Sequence, residues 1–192
     1  DFAPVHAVDA PLDDPSLVVA GAVPASVQAG FAALLATAFE SGVVVTDPEA
    51  AHLENDGEVV VAAHASGDAS AYGAIAGSDA FSDLANTDSG VIDVIADSVD
   101  GTALAVGAYA YAGVSASIWN YGAVSAEAHS AYGDAQAYAA VIAGVPAGIG
   151  LLVNGGSLEA QAVVDAGGAA HATGAYVVAD VGTVFNDASI SA

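Results

Sequence analysis

An Asn-Gly punctuation recurs along this chain at nearly constant spacing, and every copy is followed by strict alternation of residue types. It reads Asn55-Asp56-Gly57, Asn86 through Gly90, Asn120-Tyr121-Gly122 and Asn154-Gly155-Gly156. A last copy starts at Asn186 with Ala188 in the glycine place. Successive asparagines stand 31, 34, 34 and 32 residues apart. A fixed period in this range is the signature of stacked repeats.

Two residues past each glycine position stand Val59, Ile92, Val124, Leu158 and Ile190, all large aliphatics. Two further on come Val61, Val94, Ala126, Ala160 and Ala192, and then Ala63, Ala96, Ala128 and Ala162. Period-two alternation predicts a strand whose inward face carries these residues. Glu58, Asp93, Ser125, Glu159 and Ser191 fall on its outward face.

A second strand follows Gly/Asp corners such as Gly67-Asp68 and Gly133-Asp134. Its expected inward rows are Ala69, Ala71, Gly73, Ile75; Ala103, Ala105, Gly107, Tyr109; Ala135, Ala137, Ala139, Val141; and Ala170, Ala172, Gly174, Tyr176. A third strand precedes each asparagine, with Leu84, Ile118, Leu152 and Val184 two residues before it.

Three strands per unit, small inward residues and an asparagine at one corner predict an all-β chain. The expected fold is a parallel β-solenoid of about four 31–34-residue repeats, covering residues 54–192,. The alternative is an antiparallel β-sandwich, with the first two strands of each unit closing as hairpins. Residues 1–53 read as a small α/β cap or docking segment: a strand over 17–23, an amphipathic helix over 24–40 and a further strand over 43–46. Val27, Phe31, Leu34, Leu35 and Phe39 form the apolar face of that helix,.

Composition then limits function. The chain has no Lys or Arg and 23 Asp plus Glu, a formal net charge of −23. Phosphate and anionic-lipid affinity are supplied by Lys and Arg, so nucleic acid and acidic membranes are excluded as expected partners. No run reaches the roughly 18–20 apolar residues of a membrane span. The absence of Met is read as the mark of a processed product, with an extracellular or cell-surface location after removal of a signal peptide,. The absence of Cys excludes disulfides and thiolate metal sites,.

The Ala-rich units Asn120-Tyr-Gly-Ala-Val-Ser-Ala-Glu-Ala-His and Gly133-Asp-Ala-Gln-Ala-Tyr-Ala resemble repeats of large bacterial surface proteins. The likeness is to the β-helical passenger regions of autotransporter-like adhesins, over about residues 54–192. It implies export, a surface location and a structural or adhesive role. The chain departs from that pattern in being short and in showing no membrane-anchoring barrel.

Candidate sites are few. No Gly-x-Ser-x-Gly elbow, P-loop or convergent carboxylate pair is present, and no enzyme is expected. Carboxylates without competing bases suit Ca2+, a hard cation, for which Asp13, Asp14, Asp97 and Asp100 are the candidate ligands, with Asp47 and Glu49 as a further pair,. His64 and His129 share an outward register, which Asp97 fills in the intervening repeat; two spacings of ~4.8 Å separate them too far to share one metal ion,. Outward aromatics Tyr72, Trp119, Tyr132 and Tyr138 form an expected surface for lateral packing or glycan stacking. Leu17, Val18 and Val19 at one end, with Ile190 and Ala192 at the other, are the expected assembly residues. The expected function is a self-assembling extracellular filament subunit, its partner another copy of itself. The alternative is an adhesin passenger that binds surface glycans.

Overall fold

The computed structural model describes residues 38–192, which are strands joined by turns, bends and short irregular links, with no helix among them. Five coils of a parallel β-solenoid follow one another. The first holds β1 (Ala38–Asp47), β2 (Ala50–Asn55) and β3 (Glu58–Ala65). The second holds β4 (Ala69–Ser78), β5 (Phe81–Asn86) and β6 (Val91–Ser98), and the third β7 (Ala103–Tyr111), β8 (Ser115–Asn120) and β9 (Ala123–Ser130). In the fourth, β10 (Ala135–Asn154) runs continuously around one corner before β11 (Ser157–Val164). The fifth has β12 (Ala170–Asn186) and β13 (Ser189–Ser191).

Three walls result. The first stacks β1, β4, β7 and the leading halves of β10 and β12; the second stacks β2, β5, β8 and their trailing halves. The third wall is the five-stranded sheet β3, β6, β9, β11, β13. Every pairing between coils is parallel, which rules out the antiparallel sandwich.

The solenoid begins one coil before the first Asn-Gly mark. Residues 38–53, expected within the cap, supply β1 and most of β2. The strand expected over 43–46 is present and longer. The last three residues of the expected helix, Ala38 to Glu40, lie in β1, paired with Ala69 to Ala71. Pairing with β4 and the β-branched run Val43 to Val45 outweigh the helical spacing there. The rest of that helix, and the strand expected over 17–23, fall outside the described residues.

Inward rows of the third wall are as expected: Ile92, Val94, Val124, Ala126, Leu158 and Ala160 are all buried. Leu84, Ile118 and Leu152 are buried on the second wall, joined by Leu53 from the first coil. The first wall departs from simple alternation. Ala69 and Ala71 point into the core, but so do Ala74 and Ala76, so the inward side changes parity at Gly73. The same change follows Gly107: Ala105, Ala108 and Ala110 are core residues. A Cβ at Gly73 would collide with Ile92 Cγ2 and the Gly107 carbonyl oxygen. The missing side chain lets the first wall kink inward against the third. Ile75, Tyr109, Val141 and Tyr176, expected inside, therefore stand outside the main core cluster, although Ile75 and Val141 are still buried at 7% exposure.

Asparagines tie the corner between the second and third walls. Nδ2 of Asn55 donates to Oδ1 of Asn86 at 2.8 Å, Asn86 to Asn120 at 2.8 Å, Asn120 to Asn154 at 2.7 Å and Asn154 to Asn186 at 2.7 Å. The second hydrogen of each amide serves carbonyls, as from Asn120 to Ser157 O at 3.1 Å. Buried amides need this satisfaction, because an orphaned one costs about 1–3 kcal/mol. The corner between the third and first walls uses serine instead: Ser98 Oγ donates to Gly67 O at 2.6 Å and accepts from Gly101 N at 2.9 Å. Ser130 repeats this arrangement one coil on.

Candidate functional site

The corner aspartates are structural. Asp68 Oδ1 accepts from the Thr102 amide of the next coil at 2.7 Å, and Asp134 Oδ1 from the Ala169 amide at 2.9 Å. Asp47 Oδ1 accepts from Glu49 N at 2.8 Å and Ala50 N at 2.9 Å. The Ala50 and then the Glu49 amide hold its carboxyl below the usual carboxylate value,.

Among the calcium candidates, Asp13 and Asp14 lie outside the described residues. Asp97 faces two histidines, with Oδ2 2.8 Å from His64 Nδ1 and Oδ1 3.7 Å from His129 Nδ1. Asp100 is exposed at the corner that follows. Among the described residues, no group of three or more His, Asp or Glu side chains is arranged to hold a metal ion. The only ion pairs among them involve histidine. His129 Nε2 also meets Asp165 Oδ2 at 3.2 Å, and His52 Nδ1 meets Asp83 Oδ2 at 3.0 Å.

The aromatic candidates separate onto three places. Tyr72 and Tyr138 share the outer side of the first wall, two coils apart, with Val106 in register between them. Trp119 lies on the second wall, between Ala85 and Val153. Tyr132 is 64% exposed in the corner after β9. The first-wall pair belongs to a larger apolar layer. Phe39 packs on Tyr72 at 5.4 Å between ring centroids, Tyr72 meets Tyr109 edge-on at 6.3 Å, and Tyr138 meets Tyr176 at 6.0 Å. Ile75, Val106 and Val141 lie among them, 4–7% exposed. Burial, and after it Tyr109, push the Tyr72 hydroxyl up to about 12. No Asp or Glu occurs in β4, in β7 or in residues 170–179 of β12. Tyr109 and Tyr176 were assigned to the core by alternation, which hid the extent of this layer.

The two ends of the described solenoid differ. In the first coil Leu53, Val59 and Val61 are 3–6% exposed. In the fifth, Val184 is 48%, Phe185 59% and Ile190 36% exposed. Ala192 lies just past β13 and is exposed. Among the described residues, β12 pairs only with β10 and β13 only with β11, which leaves one edge of each without a partner strand. Among the described residues, Asn186 Nδ2 donates only within its own turn, to Ala188 O at 3.0 Å. Leu17, Val18 and Val19 lie outside the described residues.

The fold thus defines a β-solenoid repeat protein. No family model, curated protein or solved structure matches the chain. No helix among the described residues is long and apolar enough to cross a membrane.

Proposed function

We propose that this chain is an extracellular structural protein, a self-assembling subunit of a surface filament or fibre. The observation that carries the reading is the fifth coil, where apolar inward residues are exposed and, among the described residues, two strand edges have no partner. Uncovered parallel edges recruit further strands. The buried inward residues of the first coil favour strand addition over simple stacking of one solenoid on another. The donor is the run Leu17, Val18, Val19 of a second copy, laid along β12 and β13 by β-augmentation. Such a contact is heterologous and does not close on itself, so it propagates.

Sedimentation and electron microscopy of the 192-residue chain test this. Fibres are expected from the parent chain, and dispersed monomers from Val18→Asp and from Ile190→Asp. Monomers from the parent chain at every pH and calcium concentration overturn the reading.

The carboxylate-free aromatic layer favours a second reading, an adhesin passenger that stacks neutral glycans on Tyr138 and Tyr176. Glycan-array binding lost in Tyr176→Ala would select it.

A further inference from the structure

Three consecutive coils place one titratable residue each along a line on the third wall. His64 of β3 is in register with Asp97 of β6, and Asp97 with His129 of β9. In the fourth coil Val163 fills that register, and Asp165, one residue past β11, reaches His129 from the corner instead. The two ring nitrogens of His129 face carboxylates of different coils, Nδ1 toward Asp97 and Nε2 toward Asp165.

A neutral imidazole has one N–H and one lone pair, whereas the imidazolium has two N–H donors. The carboxylate oxygens stand 3.7 Å from Nδ1 and 3.2 Å from Nε2, so the positive charge of the imidazolium is attracted from both sides. Removing the proton turns one attraction into a lone pair facing an anion. Asp97 is the complementary element, one oxygen to His64 and the other to His129. The remaining charged groups of this wall, Glu58, Asp93, Glu127 and Glu159, are all acidic, as are Asp68, Asp100 and Asp134 at the corner beyond. With no Lys or Arg in the chain, no fixed cation can stand in for the imidazolium.

We propose that the His64–Asp97–His129–Asp165 row is a proton-operated clamp, which locks four coils together when its histidines are charged and loosens when they are neutral. Its ligand is the proton. The direction is opposite to ordinary acid denaturation. Protonation adds inter-coil ion pairs, so the repeat stack gains stability on mild acidification and loses it as the histidines discharge.

Urea unfolding of the full chain at about pH 5.5 and about pH 7.5 tests the clamp. The measurement is made at concentrations where sedimentation shows single chains. The parent midpoint is expected to be higher at the lower pH, by about a two- to fivefold change in the unfolding equilibrium constant. His129→Gln should lose most of that difference. His171→Gln should keep it, since His171 makes no ion pair among the described residues. Nitrogen-15 spectra of the His129 ring should show both nitrogens protonated at the acidic end. An equal pH response in the parent and in His129→Gln, or its loss in His171→Gln, overturns the proposal.

Discussion

At the scale of single residues, the corner asparagine carries the most structural weight. Asn120 accepts from Asn86 and donates to Asn154, so removing it strands a donor in one coil and an acceptor in another. Asn120→Ala should therefore cost about 2–4 kcal/mol, read from the urea midpoint, well above the about 1 kcal/mol of one ordinary hydrogen bond. A cost below that of a single bond would mean that the ladder is replaceable by water. Asp47 makes a different prediction. Two backbone amides favour its charged form, so its folded pKa lies below the unfolded value of 3.8. Its contribution is present above that value and is lost as pH falls through the folded one. Asp47→Ala should flatten that part of the acid limb of the stability curve and leave the shape near neutrality unchanged. The asparagines were legible from sequence because stacking demands the same residue at the same corner of each coil. The Asp165 contact was not, because it lies past the strand end and outside any shared register.

At the scale of elements, the kink in the first wall separates what sequence patterning reads from what it misses. The third-wall rows were plain because large aliphatics alternate with polar residues there. In β4 and β7 both faces carry small or apolar residues, so alternation contains no contrast to locate a change of parity. Ile75 and Tyr109 look like core residues by size, yet the neighbouring alanines take the core. The glycine that allows the kink is the testable point. A Cβ on Gly107 would run into Val124 Cγ1 and the Ala139 carbonyl oxygen, whereas one on Gly57 meets nothing within 4 Å. Gly107→Ala should destabilise by about 1–3 kcal/mol through overpacking, and Gly57→Ala by much less. Equal costs would mean that the two walls can move apart freely. Coil four carries alanine at the aligned place, Ala139, where pairing with β12 keeps its register from Tyr138 to Ala140; the register shifts of β10 against β12 lie further on, between Ile142 and Ile149.

At the scale of the whole molecule, the fold and the charge make opposite demands. Backbone ladders and small inward side chains hold the coils without Lys or Arg. A chain of net charge −23 nevertheless repels every other copy of itself,. In the assembly proposed above, strand addition at the fifth coil would bring a second set of carboxylates against Asp180 and Asp187, which lie in and just beyond β12. Assembly should therefore depend on screening. Fibre formation is expected to be slow in low-salt buffer near neutral pH and to accelerate with added Ca2+, Mg2+ or mild acid. Monovalent salt should help less, because it shortens the Debye length only to about 10 Å at 0.1 M without bridging carboxylates. Light scattering during titration with each agent checks this. Mild acid should act partly through the histidine row, so His129→Gln should reduce the acid response and leave the response to divalent cations intact. Growth rates that are indifferent to pH and ions would mean that the uncovered apolar edge alone outweighs the repulsion.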